Sequence, residues 1–317
     1  MHPTILRLSL TVLTGALAAC SYVVSKLLMM HGLDTVSVAM VKVSGAAILI
    51  IGVLLAGGGR LMLTPNALRF YAIGAVVGVG GVQLLGNWAV ARVPVGLFTT
   101  ILTLSPLFTC VLKALVERRM PAPRAVAGTL LGLLGVTAVL LPRASAAQGG
   151  EAIALIACLA IPLIFAAGNL YRERFWPDGM NARMAAGGTM WVQLCVVIPL
   201  FFMTHSPGQP AIMSAQWPLA LLLVVVGSAA LVTGAALQRV ADSISFSQTG
   251  YASALTGMVA SAIVFNDRLE PLFWPALLAV FAGVYLTTTA TRNNVAETHG
   301  SLAHAHTSAV PITAQCN

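Results

Sequence analysis

Within the long apolar stretches of this sequence, a few side chains can form hydrogen bonds or carry a charge. Gln83 and Asn87 stand four residues apart in Leu68–Val90, so a helix puts both on one face. Ser245, Gln248 and Ala252 share a face in Ser243–Phe265, with Tyr251 adjacent. Tyr22, Asn169 and Gln193 are further polar positions. Lys42 is the sharpest of them, set well inside Thr35–Ala56 with no acid in that segment. Groups of these kinds hold and orient a small molecule. No H-E-x-x-H, nucleophile elbow or pair of carboxylates within an apolar segment provides for bond-breaking chemistry, and no G-x-x-x-x-G-K-[ST] provides for ATP hydrolysis.

Each of these residues has a second reading. A polar side chain turned to lipid is costly, so all are expected to face the interior. There they either bond one helix to another, at about 0.6 kcal/mol each, or touch a solute. Lys42 either reaches the nearer membrane interface along its flexible stem or neutralises a carboxylate or phosphate on the solute.

The elements that must position these side chains follow from composition. Of 317 residues, 58% are hydrophobic and only 8% are charged. Mean hydropathy is +0.90. A soluble fold of this length cannot hide so much apolar surface, but a bilayer solvates it directly. The formal charge of +8 is spread thinly, without a basic stripe or aromatic platform, which excludes a nucleic-acid partner. The five cysteines form no C-x-x-C pair, so neither a disulfide framework nor a metal site is expected, and no cofactor is implied.

A helix crossing the hydrocarbon needs about 20 apolar residues. Ten segments qualify: Ile5–Leu28, Thr35–Ala56, Leu68–Val90, Val95–Val116, Ala125–Leu141, Ala152–Tyr171, Ala182–Met203, Trp217–Leu237, Ser243–Phe265 and Leu272–Ala290. The fold class is therefore an all-α integral membrane protein with ten transmembrane helices. Leu17–Cys20 imitates a lipoprotein cleavage site, but the chain stays apolar beyond it, so the first helix is expected to be retained. From position 291 the composition turns polar, and residues 291–317 read as a disordered cytoplasmic tail in which His299, His304 and His306 are solvated. With the N-terminus in the cytoplasm, only Lys26, Arg92, Arg143 and Arg268 fall on the far side and Lys42 within a span; the other twelve basic residues are cytoplasmic. That bias places both termini in the cytoplasm of a multi-pass plasma-membrane protein, the bacterial inner membrane being the expected setting.

The chain also repeats itself. Offset by 147 residues, HGLDTVSVA (His31–Ala39) falls on DGMNARMAA (Asp178–Ala186), AVARV (Ala89–Val93) on ALQRV (Ala236–Val240), and Gly80 on Gly227. An offset of 150 places Glu117-Arg118 on Asp267-Arg268. The expected organisation is two five-helix repeats, 1–142 and 151–290. Five is odd, so the second half enters the membrane from the opposite side, an inverted-topology arrangement that recurs in secondary transporters. The acid–arginine pairs at the two mouths are either latches, each closed in one state, or simple markers of helix ends.

Ten spans in two halves, and the run GNWAVARVPVGLFTTILTLSPLFTCVLKALVERRMPAPRAVAGTLLGLLGVTAVLL, resemble an EamA-type permease of the drug/metabolite transporter superfamily. Asn87, Pro106, Glu117 and Arg118 are the positions that carry the resemblance. The second half departs from the pattern, with Ser253 where a Pro is usual and Asp267 in place of Glu. The resemblance implies a transporter rather than an enzyme, moving a small metabolite or drug-like solute by export or exchange. The alternative is a membrane-embedded enzyme or lipid-handling protein. Expected pathway residues are Tyr22, Lys42, Gln83, Asn87, Asn169, Gln248 and Tyr251; expected gating or structural residues are Pro106, Glu117, Arg118, Asp267 and Arg268. The acids lie in loops or at span ends, so no buried proton relay is expected.

Overall fold

A computed structural model describes residues 3–118, 150–204 and 208–266, with isolated positions between 123 and 138 and between 271 and 286. Among them helix is the sole regular structure. In chain order the helices are α1 (Pro3–Met30), α2 (Thr35–Ala56), α3 (Pro65–Ile73), a π-helical segment (Gly74–Gly80), α4 (Gly81–Val90), α5 (Val95–Leu102), α6 (Ser105–Glu117) and α7 (Gly150–Arg174). They continue as α8 (Ala182–Thr204), α9 (Gln209–Ala215), α10 (Trp217–Val240), α11 (Ser243–Ser247) and α12 (Thr249–Val264).

Seven helical stretches among the described residues are long and apolar enough to span a membrane, against the ten expected. The fifth and tenth expected spans, Ala125–Leu141 and Leu272–Ala290, fall largely outside the described residues. Asp267, Arg268 and the tail from 291 lie outside them entirely. The ninth expected span is described, but it is two helices rather than one.

That difference has a local cause. Serine and threonine hydroxyls compete for backbone carbonyls and bend helices. Ser247 Oγ donates to the Ile244 carbonyl, 2.6 Å away, and the chain turns at Gln248 between α11 and α12. The fourth span breaks in the same way. Thr103 Oγ1 donates to Thr100 O (2.6 Å) and Ser105 Oγ to Leu102 O (2.7 Å), and Pro106 has no N–H with which to continue the ladder. Pro106 therefore opens α6, with its ring buried.

The third span departs from a regular helix too. Its glycines at 74 and 78 sit in a π segment, whose wider turns loosen the backbone ladder. Gln193 Nε2 of α8 donates to the Ala75 carbonyl there, at 3.4 Å.

Helix ends are capped by the residues the sequence supplies. Asp34 Oδ1 accepts from Ser37 N (2.7 Å) at the start of α2, and Thr64 Oγ1 accepts from Ala67 N (3.3 Å) at the start of α3. Arg118 ends α6 in the left-handed region, at φ 53°. At the opposite end of the bundle, the Gln209 amide bridges Asp34 N (3.0 Å) and Gly32 O (3.1 Å), which ties α9 to the α1–α2 turn.

Packing crosses between the first and second halves of the chain. Helix α1 lies against α10 and α12, α2 against α8 and α10, α5 against α12, and α4 and α6 against α7. The outward faces carry exposed Ile48, Leu115, Ile156, Phe202 and Ile263, which only lipid can cover favourably in a monomer.

Candidate functional site

A cavity of about 150 Å³ lies between helices of both halves. Its wall is built from α1 outward. Tyr22 of α1 packs edge-on against Phe98, with ring centroids 4.7 Å apart. It has that place because residue 86 is glycine: a Cβ there would come within 2.9 Å of the Tyr22 hydroxyl. The Tyr22 ring in turn faces Lys42, whose Nζ lies 5.4 Å from the ring centroid. The lysine stem runs along Gly227 of α10, where a Cβ would stand 3.2 Å from Lys42 Cε.

Lys42 is 5% exposed, and the Tyr22 ring is its sole electrostatic partner among the described residues. The ring face attracts a cation by about 0.5–2 kcal/mol, but it is no counter-ion. The Lys42 side chain lines the interior cavity.

A second cation lines the same cavity. Arg172, near the end of α7, donates from Nε to Gly168 O (3.3 Å) and from Nη2 to Asn169 Oδ1 (3.2 Å). Gln238 Nε2 donates to the same Asn169 oxygen at 3.3 Å. Asn169 thus stands behind the wall and orients Arg172 and Gln238, both of which face the cavity. Trp176 lines the wall beyond the end of α7, its indole N–H held by Met180 O at 3.0 Å and its ring 5.4 Å from that of Phe70. No Asp or Glu is among the described residues that line this space.

Of the expected pathway residues, the cavity brings together Tyr22, Lys42 and Gln83. Asn169 acts through its neighbours. Asn87 is fully buried beside the cavity rather than on its wall, and neither of its amide atoms has a hydrogen-bond partner among the described residues. Gln248 forms the α11–α12 turn, where its carbonyl accepts from Tyr251 N (3.0 Å); the adjacent Thr249, not Gln248, reaches the cavity. Tyr251 packs on the apolar cluster around Phe98 and Ile101.

Among the expected gating residues, Glu117 and Arg118 are exposed and make no ion pair among the described residues. The ion pairs there belong to Lys113, one turn earlier: Nζ lies 2.9 Å from Glu173 Oε1 and 4.0 Å from Asp242 Oδ2. Glu173 Oε2 also accepts from Ser243 N at 3.0 Å, so one carboxylate joins α6, α7 and α11.

Sequence reasoning missed Arg172, Gln238, Thr189 and Trp176. Arg172 resembled a boundary arginine like Arg174. Its one local signal was its spacing of three from Asn169, which puts the two on one helix face.

These features define a helical membrane protein with an interior cavity whose largely apolar wall carries two cations and a few polar groups. Residues 6–141 are similar to the EamA-like transporter family, which belongs to the drug/metabolite transporter superfamily. No curated protein matches the chain. A solved crystal structure, described simply as that of a protein, is similar with a TM-score of 0.64 at 17% identity, over 90% of this chain and 98% of the other. At that identity the likeness shows the fold alone.

Proposed function

We propose that the chain is a secondary transporter that works by alternating access, carrying a small metabolite or drug-like solute across the plasma membrane by export or exchange. The observation that carries this reading is the cavity itself, with polar and charged groups donated by helices of both halves to one interior space. A buried ammonium in a membrane protein marks a solute or ion path unless a structural partner accounts for it.

Several contacts support two inverted halves. Helices α2 and α8 correspond under the 147-residue offset and pack on each other, and the contact of α5 with α12 is matched by that of α11 with α6. The contact of α1 with α10 is matched by that of α7 with α4. Both α5–α6 and α11–α12 are broken, at related places. Thr189, which the offset pairs with Lys42, lines the same cavity. Rocking of one half against the other around a fixed central site is the motion that such symmetry provides. On this reading the arginine-rich end is cytoplasmic, and the Lys113–Glu173 pair there closes or opens the path.

The test is flux. Full-length protein in proteoliposomes, preloaded with a mixture of acids, amines and sugars, should exchange at least one of them with the medium. Liposomes that bind solute yet never exchange it would favour a lipid-handling or enzymatic role instead.

A further inference from the structure

Four facts about the cavity concern charge. Lys42 is almost wholly buried and faces the space without an acidic partner. Arg172 faces the same space, held in position by Gly168 O and Asn169 Oδ1, which occupy two of its five N–H donors. No carboxylate among the described residues lines the wall. The nearby acid that could have neutralised Arg172 is its neighbour Glu173, and that side chain is engaged elsewhere by Lys113 and Ser243 N.

An unpaired buried cation has lost its hydration without compensation, so an anion that enters the space is favoured. The neutral groups around the pair are suited to complete an anion's coordination. The Gln83 and Gln238 amides and the Thr14 hydroxyl can donate, and the Phe70 and Trp176 rings wall the space. Position along the helices sets the two cations apart. Lys42 lies seven residues, or about 10 Å of helix, from the end of α2 that is capped by Asp34, whereas Arg172 lies two residues from the opposite end of the bundle. Arg172 therefore stands nearer the arginine-rich mouth, and Lys42 is deeper.

We propose that the solute of this site is an anion, a small organic carboxylate or phosphate monoester, drawn in past Arg172 and held at Lys42. The proposal rests on the transporter reading for its physiological meaning, but not for its test. Arg172, with its pre-oriented fork, serves as the entry contact, and the Lys42 ammonium over the Tyr22 ring serves as the inner seat. The repeat-related position to Lys42 is the neutral Thr189, so the seat has one deep cation rather than two.

Binding can be measured apart from transport. Acetate, succinate and glycerol 3-phosphate are titrated at millimolar concentration into the detergent-solubilised full chain by calorimetry, with choline and glucose as controls. At least one anion should bind and neither control should. Lys42→Met should weaken binding by about tenfold or more, the worth of one charge-assisted contact, and Lys42→Arg should restore it. Arg172→Gln should weaken it as well, and serves if Lys42→Met does not fold. Failure of all three anions to bind, or binding that neither substitution changes, overturns the proposal. Added phosphatidylglycerol that displaces the anions competitively would assign the site to a lipid headgroup and overturn the solute assignment. The two readings fail separately. Anion binding without flux sinks the transporter and keeps the anion site, whereas choline or glucose flux without anion binding does the reverse.

Discussion

Lys42 and Lys113 are both lysines on apolar helices of the first half, and the protein treats them oppositely. Lys113 has 21% of its side chain exposed and meets Glu173 at 2.9 Å and Asp242 at 4.0 Å. Lys42 is nearly sealed and meets an aromatic face. The Lys113 charge is satisfied by the fold, near the arginine-rich end where water also reaches it. The Lys42 charge is left for something else to satisfy. Burial and pairing together, not residue type, separate a lysine that fastens helices from one that is poised to bind.

The comparison breaks most visibly at Gly227. Replacing it with Leu drives a branched side chain into the Lys42 stem, since even a Cβ there stands 3.2 Å from Cε. Overpacking of this kind costs about 1–3 kcal/mol. The expected outcome is displacement of the ammonium, seen as anion affinity falling about as far as in Lys42→Met, with a lower melting temperature. Normal affinity in Gly227→Leu would mean that the lysine's seat is not set by this contact.

On the other side of the comparison, Glu173→Gln removes the partner of Lys113 while keeping the shape. A partly exposed ion pair is worth about 0–1 kcal/mol, so the melting temperature should change little. Accessibility of a cysteine placed in the cavity should still shift, because one of the two acceptor oxygens that join α6, α7 and α11 becomes an NH2 donor. Loss of anion binding in this variant would show that the two lysines are coupled after all.

The smallest effect is expected at Glu117. It is exposed and unpaired among the described residues, so Glu117→Gln should change stability by no more than about 0.5 kcal/mol and leave cavity accessibility as it was. A large accessibility shift there would restore Glu117-Arg118 as a latch and demote Lys113–Glu173.

Much of the site could be read one residue at a time. Lys42, Tyr22 and Gln83 stood out because a polar group within a long apolar run must turn inward. Asn87, fully buried, and Tyr251, partly buried, obeyed the same rule, but inward is a wide direction, and packing against Phe98 or a helix neighbour satisfies it equally. Gln248 stays off the cavity wall for a different reason. Hydroxyl competition at Ser247 broke the helix there, so a face drawn on a continuous helix no longer existed. Glu173 carried no signal as the partner of Lys113, since nothing local joins positions so distant in the chain.

By itself the sequence determined that this chain lives in a membrane. Apolar runs of span length, with nearly all the charge confined to the gaps and span ends, leave the backbone no other way to satisfy its hydrogen bonds. It also determined that a lone ammonium would be carried into that interior. What only the tertiary structure decided is which groups meet that ammonium. Helices α1, α2, α7 and α10 come from both halves of the chain, and their packing sets Lys42 on the Tyr22 ring, sends Glu173 to Lys113, and turns Arg172 into the shared cavity. Side-chain pairings of that kind depend on which helix faces which. In a membrane, where every helix is equally apolar, close packing chooses the partners and hydropathy does not.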